Sequence, residues 1–476
     1  MNSLTDNKVF YYFNNLCTIP HGSGNVDAIA QYCVDFAISH NLKYVKDTAN
    51  NVVIFKNGTA GYENSAPIIL QGHLDMVCQK TPESTIDFEK DGLDVYVDDD
   101  FIKARGTTLG ADNGIAVAMV LAILESNTIA HPPIEAVFTT DEEVGMIGAR
   151  ALDTSVLKGN RMINLDSETE GVVTVSCAGG SDFVASIPIS TVTTNGTLVT
   201  LEICGLKGGH SGIEINKNRV NANIIAGRIL NELKSICEYD IIGINGGDKP
   251  NAIPNRCVIK LCTSNPDALC SAINNLSQVI KDEISDREPH FNTVTTIEGD
   301  ASTALTNEIK EKIIYTLLCV PNGVTDMSVT VDGLVETSLN LGILMTNQDK
   351  IDMHFALRSN KMSSLEFLEK RLCAFFDTLN VSYQTFGHYP AWEYRENSPL
   401  RNAFCDTYKQ TFGKDAVVEA IHAGLECGVF AGNIADFDCI SIGPNMHDVH
   451  TVNERLSISS TENLFKLIIK ILEILK

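Results

Sequence analysis

Acids and histidines recur in this chain where strand-like runs end or helical runs begin, and their types are those of oxygen- and nitrogen-donor metal chemistry. GHLD carries His73 and Asp75, LGADNG carries Asp112, TTDEEVG carries Glu142 and Glu143, and NLDSE carries Asp166. Near the C-terminus, NMHDVHTVNE offers His447 and His450. Imidazole and carboxylate donors without thiolates suit zinc, manganese or cobalt better than a structural zinc site. A site for two cations needs a carboxylate that bridges both ions and terminal donors on each. It also needs a free carboxylate to accept a proton from a shared water. The inventory meets that need, with His73 and Asp166 on one ion, Glu143 and His450 on the other, and Asp112 between them. Glu142 is then the uncoordinated base, and Asp75 the partner that orients His73. Adjacent side chains of extended backbone point to opposite sides, so Glu143 can face metal while Glu142 faces water.

Each patch alone has a plainer explanation. In a chain with 60 acidic residues, one Glu-Glu pair is ordinarily a solvated loop. Asp112 by itself is well explained as a helix N-cap, Asp166 as a turn residue, and His447 and His450 as surface side chains. The remaining histidines (His21, His40, His131, His290, His354, His388 and His422) are expected to be structural. The conjunction of the patches, in one order and at element ends, is what points to a site.

The elements that must position these residues alternate in the first part of the chain. NNVVIFKN (50–57), PIILQGHL (67–74), PIEAVFTT (133–140) and RMINLDSE (161–168) read as strands. The second is nearly all apolar, as in a buried parallel sheet. Ala116, Met119, Val120, Ile123 and Leu124 repeat at helical spacing after Asp112 at the cap position. Strands alternating with helices predict an α/β layer structure. The texture changes after CAGGSDF (177–183). FVASIPI (183–189) and LVTLEIC (198–204) alternate like half-buried antiparallel strands, and helical patterns follow at 219–236 and 363–379. The last of these opens with Ser363 and Glu366 as a capping box. Near 387–399 the first texture returns, with a helix from Ser398-Pro399 to Gly413, a strand at 438–444 and a closing helix at 462–475. The expected fold class is α/β: an α/β/α catalytic domain with a mixed, mainly parallel sheet. It is built from residues 1–183 and 389–476 and interrupted by an inserted α+β domain, 184–388.

Composition narrows the function further. At 476 residues the chain is too long for one ordinary core. A formal net charge of −24 disfavours nucleic acid and anionic membranes as partners. The N-terminus lacks the basic and apolar regions of a secretory signal, and the apolar run 115–124 is too short to span a bilayer. The expectation is a cytoplasmic protein whose 14 cysteines, with no Cys-x-x-Cys pair, are reduced thiols.

HLD, LGADNG, DEE-x-G-x-x-GA, NLDSE, GGHSG, HAGLECG and a late His-Thr-x-x-Glu occur in that order, and the resemblance they carry runs from about residue 10 to the end. Together they resemble the cytosolic aminoacyl-histidine (Xaa-His) dipeptidases. Those enzymes belong to the clan of co-catalytic dizinc metallopeptidases that includes carnosinases and glutamate carboxypeptidases. The resemblance implies the roles given above for His73, Asp75, Asp112, Glu142, Glu143, Asp166 and His450. It favours His450 over His447, because the family's last ligand precedes Ser/Thr-x-x-Glu, here Thr451 and Glu454. It also implies a cis peptide at Asp112–Asn113, and two divalent ions, zinc foremost, with manganese or cobalt as alternatives.

The middle domain resembles the family's lid, which implies a homodimer formed through it. His210 in GLKGGHSG would help stabilise the oxyanion, in several relatives from a neighbouring subunit. Arg358 in FALRS and Asn251 in NAIP would hold a substrate carboxylate, and Arg358 suits bidentate capture on chemical grounds as well. Glu426 in HAGLECG would meet a free amino group. The chain departs from the pattern in one place. VIKLCTS (258–264) follows NAIP where relatives carry Asp-x-Arg, and the Arg-bearing strand comes only near 351–359. That fits the enlarged lid of the dipeptidase branch. The implied activity is hydrolysis of dipeptides, Xaa-His (carnosine-like) dipeptides foremost. The alternatives are an N-acyl amino acid deacylase or tripeptidase of the same clan, or a non-catalytic metal-binding protein.

Overall fold

The computed structural model describes residues 4–476, which divide into two compact units. The first comprises residues up to Cys177, Trp392–Ala420 and Leu425–Lys476; the second comprises Ala178–Ala391 with Ile421–Gly424. The junctions therefore lie at 177/178 and 391/392 rather than at 183/184 and 388/389. The physical reason is the strand Gly179–Pro188, whose ladder begins at its two glycines, ahead of the side-chain alternation that the sequence displays.

The first unit is organised on an eight-stranded sheet. Its order is Lys43–Lys46, Val52–Lys56, Ile134–Thr139, Ile68–His73, Arg161–Asn164, Asp438–Ser441, Val172–Cys177 and Val417–Ile421. The four central strands, from Ile134–Thr139 to Asp438–Ser441, run parallel. Pairing is antiparallel towards the first edge and where Asp438–Ser441 meets Val172–Cys177. Every residue of Ile134–Thr139 and of Ile68–His73 is buried, so both faces of the sheet are covered. Helices Lys8–Cys17, Asp27–Ser39, Ala111–Glu125, Pro399–Phe412 and Ile458–Ile474 contribute to one core with these strands. A small four-stranded sheet (95–98, 101–104, 446–447 and 455–457) carries the chain into and out of the His450 loop.

Local chemistry explains most element ends. Ser398 Oγ accepts the Arg401 N–H at 3.0 Å ahead of Pro399, and Gly413 stops that helix at φ 69°, a left-handed position that glycine adopts without penalty. The capping box expected at Ser363 and Glu366 is absent. The helix starts earlier, at Met362, its cap residue Lys361 makes no side-chain cap bond, and Ser359 Oγ takes the Lys361 N–H instead. Asp112 is not an N-cap either. It and Asn113 have non-helical backbone angles and are joined by a cis peptide.

The second unit is α+β. A nine-stranded sheet runs 292–305, 191–204, 257–263, 240–246, 335–346, 350–359, 179–188 and 382–389, with 323–327 beside 335–346. Its ladders are antiparallel. Helices Ala222–Leu233, Pro266–Ile284, Asn307–Cys319 and Met362–Thr378 bury their apolar stripes against it in a separate core. All the cysteines are free.

Candidate active site

Three neighbouring parallel strands deliver acids and a histidine to one end of the sheet. His73 is the last residue of Ile68–His73. Glu142 and Glu143 follow Ile134–Thr139, and Asp166 follows Arg161–Asn164. His73 pairs with Thr139, and Gln71 with Asn164, so the three turns leave the sheet at nearly the same level. This is the C-terminal end of the parallel strands, where open α/β sheets build their sites. Asn113 ties two of the turns together: its Oδ1 accepts the His73 N–H at 3.2 Å and its Nδ2 donates to the Leu165 carbonyl at 2.9 Å. A Cβ on Gly72 would lie 2.4 Å from Asn113 Oδ1, so that approach requires glycine.

The Asp112 carboxylate stands between the two histidines. Its Oδ1 lies 3.0 Å from His73 Nε2 and its Oδ2 3.1 Å from His450 Nε2. His73 Nε2 is 3.4 Å from Asp166 Oδ1, and His450 Nε2 is 2.8 Å from Glu143 Oε1. His73 Nδ1 faces the Asp75 carbonyl oxygen at 3.0 Å, which it meets only as a donor, so a neutral ring offers its lone pair at Nε2. His450 is held at φ 65°, a left-handed angle uncommon outside glycine and characteristic of constrained functional positions. His447 lies elsewhere, exposed and edge-on to the Phe101 ring at 5.9 Å.

The donor set fits divalent cations. Two atoms bound to one zinc ion at about 2.0–2.1 Å in tetrahedral geometry lie about 3.3 Å apart. The four separations above, 2.8–3.4 Å, bracket that value. Candidate donor atoms of His73, Asp112 and Glu143 all fall within 4.8 Å of one another. The electrostatics agree, because the carboxylates demand positive charge. Burial opposes an imidazolium at His73, yet Asp166, Asp112 and Asp75 raise its pKa well above the usual value. Asp112 and Glu143 push His450 up to about 10. Burial pushes Glu142 up to about 8, with His73 opposing and Glu426, Glu143 and Asp112 adding to the rise.

A second layer holds these groups. Asp75, buried, accepts the Glu142 N–H on Oδ1 at 3.0 Å and the Glu143 N–H on Oδ2 at 3.3 Å, so it braces the glutamate turn as well as His73. Glu454 accepts the backbone N–H groups of Leu109, Gly110, Ala111 and Asp112 at 2.7, 3.2, 2.9 and 3.5 Å. Sequence reasoning noted Glu454 only as a motif residue and gave it no role, and it gave Asn113 none. The spacing Thr451-x-x-Glu454 beside His450 was the available signal. Beneath the site, Glu426 is fully buried. Its Oε2 accepts from Gln71 Nε2 at 2.5 Å and Thr139 Oγ1 at 2.7 Å, while its Oε1 has no partner among the described residues.

His210, Asn251 and Arg358 all lie in the second unit. Gly209–His210 pairs with Ala252–Ile253, and the Ser211 N–H donates to the Asn251 carbonyl at 2.9 Å, which brings His210 and Asn251 into one ladder. His210 Nδ1 accepts the Gly212 and Ile213 N–H groups at 3.1 and 3.2 Å. The neutral ring therefore carries its proton on Nε2, ready to donate. Burial and then the Arg358 charge lower its pKa, which favours that neutral form. Arg358 Nη1 donates to Tyr389 Oη at 2.8 Å, and its buried Nε has no partner among the described residues. His422, expected to be structural, is buried between Ser338 Oγ (2.7 Å) and Asn360 Oδ1 (3.0 Å).

A mixed sheet with this array at its parallel strand ends is the framework of a metallopeptidase, and residues 69–474 match Peptidase family M20/M25/M40. The chain belongs to that family. It is 34% identical over 477 residues to the cytosol non-specific dipeptidase of Escherichia coli (strain K12), covering 99% of this chain and 98% of that protein. It superposes on the crystal structure of aminoacylhistidine dipeptidase from Vibrio alginolyticus with a TM-score of 0.91. That match has 34% identity and covers 98% of this chain and 96% of the other. A tripeptidase from Staphylococcus aureus, at 17% identity and a TM-score of 0.56, shares the fold.

Proposed function

We propose that the protein hydrolyses the peptide bond of dipeptides, Xaa-His dipeptides among them, as a dinuclear metallopeptidase. The observation that carries this reading is the Asp112 carboxylate, one oxygen towards His73 and the other towards His450. His73 and Asp166 would hold one divalent cation, Glu143 and His450 the other, and Asp112 both, with zinc the first candidate and manganese or cobalt the alternatives. When bound, such cations lower the pKa of a shared water and polarise a carbonyl oxygen. Glu142 is the base that would accept a proton from the attacking water and deliver it to the leaving amine. His210 would donate a hydrogen bond from its Nε2–H to the developing oxyanion. Arg358 and Asn251 receive the substrate carboxylate, and the unpartnered Glu426 Oε1 is assigned to the free amino group. Fixing both termini selects dipeptides, because a longer chain leaves a buried charge unpaired.

Substrate size and compartment rest on the relatives: a cytosol non-specific dipeptidase and an aminoacylhistidine dipeptidase. Among the described residues, no helix is long and apolar enough to cross a membrane. The inserted unit is assigned as the lid and as a homodimer interface. Its edge strand Asn292–Leu305 exposes Val294 and Ile297, and a monomer mass by sedimentation would overturn that assignment.

The test of activity is a panel run after reconstitution with zinc, manganese or cobalt. It contains carnosine, other Xaa-His and non-His dipeptides, tripeptides and N-acyl amino acids. Chelator-sensitive turnover of dipeptides is expected; turnover of acyl amino acids alone means a deacylase, and none at all a binding protein. Ligand assignment is tested by metal analysis. Changing His450 to Ala is expected to remove one ion per chain, whereas changing His447 to Ala keeps both. Retention of both ions by the His450 variant would exclude it as a ligand.

A further inference from the structure

Between the first two helices, the segment Pro20–Asn25 meets both acid-bearing turns of the first unit. Gly22 forms a parallel bridge with Met76, the Met76 N–H donates to the His21 carbonyl at 3.1 Å, and the Ser23 N–H donates to the Met76 carbonyl at 3.3 Å. The two backbone hydrogen bonds that make up this bridge anchor the loop to the residue after Asp75. On top of them, Ser23 Oγ donates to Asp75 Oδ2 at 2.8 Å, and the Gly24 N–H donates to Asp141 Oδ1 at 2.6 Å. One short loop therefore clasps the His73-Leu74-Asp75 turn and the Asp141-Glu142-Glu143 turn together.

The hydroxyl is not needed to hold the loop, which its own backbone already fixes. What it does is complete the Asp75 carboxylate. Oδ1 takes the Glu142 N–H at 3.0 Å and lies 3.5 Å from His73 Nδ1, while among the described residues Oδ2 has, besides Ser23, the longer Glu143 N–H bond at 3.3 Å. Without Ser23 the buried Oδ2 is under-bonded, and the carboxylate gains by rotating or drawing in water. Either change releases the backbone that presents Glu143 as a donor and Glu142 as a free base.

We propose that Ser23 is a positioning residue for hydrolysis, fixing Asp75 so that the adjacent glutamates face different tasks. The proposal rests on the dipeptidase reading given above. Its test compares wild type, Ser23→Ala and Ser23→Thr on a dipeptide that the wild type hydrolyses, together with a calorimetric zinc titration of each metal-free protein. At saturating zinc, S23A is expected to bind two ions and keep KM within about twofold while kcat falls about tenfold, in the range typical of outer partners at metal sites. S23T recovers most of the lost kcat, and one zinc-binding step in S23A weakens severalfold. Unchanged kcat and zinc affinity in S23A overturn the proposal, as does a loss that Ser23→Thr does not recover. A wild-type protein inert towards every dipeptide overturns the dipeptidase reading instead; the zinc titration then decides on Ser23 alone, equal affinities in wild type and S23A excluding the positioning role.

Discussion

With Glu142 changed to Ala, both ions are expected to stay bound while kcat drops by about 10²–10⁴-fold, the usual contribution of a positioned general base. The two adjacent glutamates are chemically alike, and geometry separates them. Glu143 Oε1 reaches His450 Nε2 at 2.8 Å, whereas among the described residues the Glu142 carboxylate forms no ion pair with His73 or His450. Its backbone N–H is fixed on Asp75, and burial with neighbouring negative charge lifts its pKa to about 8. A carboxylate so raised has the proton affinity that a base working near neutrality needs, and cations bound nearby would bring it down. Metal analysis beside steady-state kinetics checks the prediction. Loss of zinc in step with activity would mean that the two glutamates exchange roles.

Much of the candidate site was legible because its residues follow apolar runs that are themselves legible. His73, Glu142, Glu143 and Asp166 each come at the end of a buried strand, and parallel strands must discharge their C-terminal ends on one side. Asp112 was visible as an acid at a helix start, but its apparent capping role was a false lead, since the chain there is not yet helical. Glu454 shows why other parts stayed hidden. Its carboxylate serves backbone N–H groups more than three hundred positions away, and an acceptor for main-chain donors leaves no mark on the sequence of its partners. Asn113 and Ser23 are hidden for the same reason, as polar residues whose meaning is their tertiary partner. The return of Ile421–Gly424 to the second unit could not be seen either, because four residues are too few for periodicity to register.

Asp112→Asn is the sharper test of the paired-ion arrangement, and kcat/KM is expected to fall about 10³-fold, near 4 kcal/mol at 1.36 kcal/mol per decade. The amide keeps the shape of the carboxylate but offers a single acceptor oxygen, and its NH₂ would point at one of the two Nε2 atoms that the carboxylate now faces. One terminal pair, His73 with Asp166 or His450 with Glu143, can then still bind an ion, so zinc stoichiometry is expected to drop from two towards one. Misfolding is an unconvincing explanation for such a result. Glu454 grips the turn through the backbone of residues 109–112, not through the Asp112 side chain, so the isosteric variant keeps its scaffold. A near-native Tm for the metal-free variant would establish that point independently. Were D112N to retain both ions and full turnover, Asp112 would be only a counter-ion to the two histidines, and the bridging carboxylate on which the hydrolytic assignment stands would have to be another residue.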